Sequence, residues 1–370
     1  MTILKARSPH WWGGVGLAVA VSLAAGASAE WLGESLLGFD KSPISPIVMA
    51  IVIGMIVANS IAVPERVTDG LKFCASTILR IGIMLLGIRL SLLGAGRFTL
   101  VALPFVIAAI AIGLTIVGLL GRWLGLSRQL TGLIAVGTSI CGCTAIVATA
   151  PLIEANEAEV SYSIACITVF GLAVMFIYPL LGHYIFPGQP QLAGLFLGTS
   201  IHETAQVAGA GLMYQTQYDA PVALDIATVT KLVRNLCMVA VIPLVGVLYS
   251  GDRGQPAGHV RWTSMIPWFI AGFALMSALR TVGDFGSRPF GVLEPDQWRA
   301  AVDVMQVAAE RFLLIAMAAV GLTSVFAGLR SIGIRPFLLG LFAAVLIGGG
   351  SLLLISLFAE RLIGIAGPAF

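Results

Sequence analysis

Long apolar runs, parted by short polar stretches, carry this chain from end to end. Runs long enough to span a bilayer as a helix, about 20 residues, start near residues 12, 45, 73, 99, 130, 160, 190, 222, 263, 304 and 337. The pattern predicts an all-α, polytopic membrane protein with about eleven transmembrane helices. They form a single transmembrane domain over residues 1–370, because no polar stretch is long enough for a separate soluble domain.

Two runs are interrupted by the same four residues. "GTSICGCTAI" starts at Gly137 and "GTSIHETAQV" at Gly198. The match extends outward: "LTGLIAVGTSICGCTAIVATA" aligns with "LAGLFLGTSIHETAQVAGAG" with one gap, and the following helices end in "FIYPLLG" and "AVIPLVG". These are internal repeat units of about 129–183 and 191–249. Counting crossings puts both units in the same orientation, while a fainter match between residues 85–96 and 319–330 relates helices of opposite direction. Sequence leaves parallel and inverted symmetry open. Many transporters are built from such repeats, with the binding site where the repeats meet.

Gly costs about 1 kcal/mol against Ala inside a helix, and Ser and Thr compete for backbone hydrogen bonds. Close packing by small residues is the plainer use of Gly137, Gly142, Ala145, Gly198, Ala205 and Gly209. A helix break is the functional one. It frees backbone N–H groups, and a new half-helix N-terminus suits an anion. Both helices are therefore expected to be broken at GTSI, and Gly137, Thr138, Ser139, Cys141, Gly198, Thr199 and Ser200 to line one substrate site.

Charged residues inside apolar runs are functional candidates, since each costs at least about 2.5 kcal/mol at the bilayer centre. They are Arg80, Arg89, His202, Glu203, Asp225, Lys231 and Arg234. Lys231 and Arg234 share one helix face. The cations outnumber the acids, which leaves positive charge for a bound anion, and His202 and Glu203 can exchange a proton. Pairing of Glu203 and Asp225 with these cations is the purely structural alternative. Arg89, His202, Glu203, Lys231 and Arg234 join the candidate substrate site.

Composition agrees: 58% of the 370 residues are hydrophobic and 11% charged, against about 25% charged in soluble domains. A net charge of +3 gives no reason to expect a nucleic-acid partner. Cys74, Cys141, Cys143, Cys166 and Cys237 all lie in or beside apolar runs and form no disulfide framework. Lys5 and Arg7 precede an apolar run that ends in Ala27-Ser28-Ala29. A retained first helix is favoured there over a cleaved signal sequence.

With a cytoplasmic N-terminus, inside loops hold Lys5, Arg7, Arg66, Lys72, Arg122, Arg128, Arg253, Arg261, Arg330 and Arg335. Outside loops hold Lys41, Arg97, Arg280, Arg288, Arg299 and Arg361, together with the acidic stretch Glu154–Glu159. This agrees with the positive-inside rule.

The stretches "ILRIGIMLLGIRLSLLGAG", "GTSICGCTAIVATAP", "GTSIHETAQVAGAG", "DIATVTKLVRNLCMV" and "AMAAVGLTSVF" resemble the YeiH-type family of bacterial membrane proteins, over roughly residues 45–358. The resemblance implies a multi-pass inner-membrane protein related to transporters with crossed, broken helices, and sulfate export as the activity.

The expected function is secondary transport of a small inorganic or organic anion, with sulfate export and proton linkage as its finer form. The expected partners are that anion and the lipid bilayer, with a homodimer as the assembly left open. An anion channel is the first alternative. An intramembrane metal-dependent hydrolase is the second, because His202-Glu203 begins like H-E-x-x-H. Residue 206 is Gln, so the second ligand is missing. No nucleophile–base arrangement is readable, and neither catalysis nor a resident metal or cofactor is expected.

Overall fold

The computed structural model describes residues 9–36, 45–61, 63–250, 267–285, 288–324 and 333–366, and among them every regular element is helical. Arg253, Arg261, Arg330, Lys5, Arg7, Lys41 and the expected helix start near 263 lie outside the described residues. In chain order the helices are α1 Pro9–Glu30, α2 Pro46–Ser60, α3 Glu65–Arg89, α4 Leu92–Trp123, α5 Arg128–Ser139, α6 Cys143–Leu152, α7 Glu157–Ile185, α8 Pro190–Ser200, α9 Thr204–Tyr218, α10 Pro221–Tyr249, α11 Trp268–Gly283, α12 Pro295–Thr323 and α13 Ile334–Ala366. Where sequence treats residues 1–370 as one domain, the chain divides into two compact units.

The first unit holds Met1–Leu92, Leu212–Pro221 and Ala271–Ala327. Its helices approach through glycine. A Cβ on Gly54 of α2 would lie 2.8 Å from the Ala318 carbonyl of α12, and one on Gly70 of α3 would clash with the Trp11 carbonyl of α1. Glycine is required at such crossings because the backbones themselves touch.

The second unit holds Leu93–Gly211, Val222–Ile270 and Gly328–Phe370, and with them both GTSI segments. α5 starts at Ser127, whose hydroxyl accepts from the Leu130 N–H at 3.2 Å, and stops at Ile140. Gly142 follows at φ 66°, a conformation glycine adopts without penalty. The chain then reverses. Gly137 packs on Ile146, whose Cδ1 would lie 2.8 Å from an added Cβ. Leu152 at the end of α6 lies against Gly246, while Tyr249, one turn further along α10, donates to the Arg128 carbonyl at 2.9 Å. Both ends of the α5–α6 pair are thus on one side. α7 starts there too, since Ser127 Oγ donates to Glu159 in the capping box that opens α7.

The second GTSI segment repeats the plan from the opposite side. α8 and α9 reverse at Ile201–Glu203. Gly194 of α8 and Gly211 of α9 pack at the same level of α10, against Ala223 and Leu224. At the tip, Asn235 of α10 donates to Thr204 Oγ1 at 3.1 Å. α7 carries the chain from one side to the other between the two hairpins. Each unit is therefore a re-entrant hairpin followed by a crossing helix, α7 or α10, with an internal proline, Pro179 or Pro243.

Three expectations change. The GTSI helices are interrupted, but neither segment crosses. Among the described residues seven helices are long and apolar enough to cross a membrane, rather than about eleven; Pro46–Ser60 and Trp268–Gly283 are shorter apolar helices. The repeats are inverted, because a hairpin that fails to cross changes the parity of its unit. For the same reason the acidic stretch Glu154–Glu159 shares a side with Arg122, Arg128 and Arg335.

Ser127→Cys and Ala158→Cys are expected to react with a membrane-impermeant maleimide from the same side, and Gln189→Cys from the other, with the parent chain as control. Labelling of residues 127 and 158 from opposite sides would restore the crossing helix.

Candidate functional site

The tips of the two hairpins, Ile140–Gly142 and Ile201–Glu203, meet inside the second unit. Both GTSI motifs end a half-helix, so their carbonyls converge on the meeting point. Sequence led to the opposite expectation, that GTSI would open onto helix N-termini. A helix C-terminus has four unpaired carbonyls and about half a unit of negative charge, so two of them facing each other in a dry interior need cations.

α10 supplies the cations. Lys231 and Arg234 are fully buried. Lys231 Nζ donates to the Ile140 carbonyl of the first tip at 2.8 Å and the Ile201 carbonyl of the second at 3.0 Å, and also to the His202 carbonyl. Arg234 Nε donates to the Ser139 carbonyl at 2.7 Å, Nη1 to the Thr199 and Ile201 carbonyls at 2.8 and 3.0 Å, and Nη2 to the Thr138 carbonyl. All three ammonium N–H groups are used, and most of the guanidinium ones. The two cations are therefore not surplus charge waiting for a ligand. They clamp the tips together, with fewer acids paired to them than sequence suggested.

Acid enters at the other polarity. Glu203 Oε1 accepts from the Cys143 N–H at 3.3 Å, so the second tip places its carboxylate at the start of α6 in the first hairpin. A Cβ on Gly142 would lie 2.4 Å from Glu203 Cγ. Glycine at 142 is thus required both by its positive φ and by this approach. The Glu203 N–H donates to Gln206 Oε1 at 3.2 Å, and Gln206 Nε2 reaches the Thr168 carbonyl of α7 at 3.4 Å.

Unused polar groups surround this clamp. His202 is 1% exposed, and neither ring nitrogen has a partner among the described residues. Ser139 Oγ and Thr230 Oγ1 are buried and unpartnered as well. The remaining GTSI hydroxyls are turned onto their own helices: Thr138 to Ile134, Thr199 to Leu195 and Ser200 to Phe196. Gly137 and Gly198 are packing positions, against Ile146 and Thr230. The Cys141 thiol points at Met238 Sδ, 3.0 Å away. Arg89 belongs to the first unit, where it lies 3.4 Å from Glu310, which also accepts from Gln215 at 2.7 Å.

Sequence reading passed over Gln206, Thr168 and Asn235. Gln206 was legible, since Glu at an N-cap with Gln three residues on is a capping-box spacing. Thr168 and Asn235 carried no signal, because their role depends on which face of α7 or α10 the hairpins dock against.

Comparison with known proteins supplies a family. The family described as "Conserved hypothetical protein 698" matches residues 16–340. The chain is 32% identical over 339 residues to a "UPF0324 membrane protein" of Bacillus cereus, covering 90% of each chain. It is similarly 32% identical over 341 residues to one of Oceanobacillus iheyensis, covering 91% of this chain and 93% of the relative. For one of Pseudomonas aeruginosa the identity is 31% over 339 residues, with 88% of each covered.

Arg234→Ala is expected to destabilise the protein by several kcal/mol. It strands the Thr138, Ser139 and Thr199 carbonyls, at about 1–3 kcal/mol for each buried unsatisfied group. Gly142→Ala is expected to cost at least about 1 kcal/mol from positive φ alone. Thermal unfolding in detergent measures both; an unchanged melting temperature in Arg234→Ala would contradict the clamp.

Proposed function

The chain belongs to the UPF0324 family of membrane proteins, and from that premise we propose that it is a secondary transporter of a small anion across the bacterial inner membrane. The carrying observation is the buried imidazole of His202, without a partner among the described residues, at the meeting point of two inverted hairpins. A buried polar group without a partner costs about 1–3 kcal/mol. That cost is justified where a ligand supplies the partner. Non-helical backbone at membrane depth is likewise tolerated where it is buried in protein or lines a cavity, and inverted repeats that meet mid-membrane are a recurrent transporter plan.

Charge supports an anion. Lys231 and Arg234 contribute two positive charges and Glu203 one negative. Two half-helix C-termini contribute roughly −0.5 each, and the N-termini of α6 and α9 roughly +0.5 each. The sum is about +1. One repeat supplies the cations for both tips. Counting back from the paired prolines, Pro179 and Pro243, Lys231 corresponds to Ile167 and Arg234 to Phe170, both apolar.

In the finer reading the anion is sulfate and its movement is proton-linked. A dianion would overshoot a site charge of about +1, and one proton on Glu203 would restore balance. Glu203 is half-buried at the tip, beside the N-terminus of α6 and next in the chain to His202. The role of Lys231 and Arg234 is to hold both tips and maintain the field; the ligand-facing groups are His202, Ser139 and Glu203.

In proteoliposomes, sulfate flux is expected to saturate, to show counterflow and to accelerate under an imposed pH gradient. Glu203→Gln should retain flux and lose the gradient dependence, and His202→Ala should raise the half-saturating concentration about tenfold, the effect of one lost hydrogen bond to a charged ligand. Non-saturating flux without counterflow would make the protein a channel. Absence of flux for every small anion tested would overturn the reading.

A further inference from the structure

Away from the hairpin tips, the second unit has a cleft of about 350 Å³ with two walls of opposite chemistry. Its lower part runs between α4 and α10 and is lined by Leu114, Leu119, Leu244 and Leu248. Leu119 is 65% exposed, and Leu244 and Leu248 are also exposed. Its upper end carries Arg122 and Arg128. From Leu114 to Arg122 along α4 is about 12 Å at 1.5 Å per residue.

The upper end is built rather than incidental. Arg128 lies over the Tyr249 ring, 4.5 Å from its centroid, and Nη2 donates to the Leu248 carbonyl at 2.7 Å, which fixes the guanidinium at the rim. Trp123, 81% exposed, follows Arg122, as an aromatic does at a membrane–water boundary. Arg335 reaches within 3.6 Å of a Cβ position at Gly125, which adds a third cation on this side. Glu159, on the same side, is engaged by Ser127 and by the Asn156 N–H. Inside the cleft, Thr131 is 2% exposed and its hydroxyl has no partner among the described residues.

We propose that this cleft binds one anionic phospholipid, with its phosphate on Arg122 and Arg128 and an acyl chain along α4 and α10. An apolar groove between helices that ends in paired arginines at the interface matches both parts of such a molecule, and a soluble anion would leave the apolar walls uncovered. The site touches neither hairpin tip, so it stands apart from the transport reading. It joins α4, α5 and α10, and an occupying lipid braces the first hairpin against the end of α10.

The test is the melting temperature of the purified full chain in mixed micelles containing dioleoyl phosphatidylglycerol, dioleoyl phosphatidylcholine, or inorganic phosphate without lipid, together with native mass spectrometry of retained lipid. Phosphatidylglycerol is expected to raise the melting temperature and to be retained; phosphatidylcholine and phosphate are not. Arg122→Gln, at an exposed position, should weaken retention about fivefold, the effect of one basic residue at an anionic surface. Gly118→Leu should abolish it, since nothing lies within 4 Å of a Cβ at Gly118 and the new side chain fills the groove without displacing protein. Equal stabilisation by phosphatidylcholine, stabilisation by phosphate alone, or full retention in both variants would each overturn the proposal.

Discussion

The second unit depends on one arrangement, two cations bridging two converging helix C-termini. Ending a helix inside the membrane exposes carbonyls where no water can serve them. Ending two such helices against each other adds repulsion between their negative poles. Lys231 and Arg234 resolve both problems, because each donates to carbonyls from both tips. Desolvating two charges is costly, and only a dense ring of acceptors offsets it. The hairpins and the cations therefore explain each other.

Glycine makes the geometry accessible. Gly142 gives the first tip its reversal and leaves room for Glu203, while Gly194 and Gly211 let α8 and α9 lie against α10 at van der Waals distance. The result is a pair of tips locked in the chain's interior, with His202 buried there and without a partner among the described residues. The carboxylate of Glu203 completes the exchange of charge between hairpins, since it lies at the positive pole of α6 while α10 satisfies the negative poles of α5 and α8.

The two repeats also differ at the helix that follows each hairpin. α7 and α10 occupy equivalent places, yet α7 presents Ile167 and Phe170 where α10 presents Lys231 and Arg234. The cations of α10 serve the carbonyls of both tips. This difference makes the two copies inequivalent where they meet the tips.

Sequence alone determined the membrane character, the helical class, the duplicated unit and the break at each GTSI, because apolar run length, glycine placement and motif recurrence are local properties. It also marked Lys231, Arg234, His202 and Glu203, because charge in an apolar run is conspicuous without any fold. What it left undetermined is direction. A broken apolar segment of fixed length reads the same whether the chain continues across the membrane or turns back, since composition has no sign. Tertiary contacts distinguish the two, among them those of Gly137 with Ile146 and of Gly194 and Gly211 with adjacent residues of α10. From that reversal follow the inverted repeats, the convergence of carbonyls rather than N–H groups, and the use of the two cations as a clamp. Each depends on which backbone ends meet in space, and that is decided by tertiary packing.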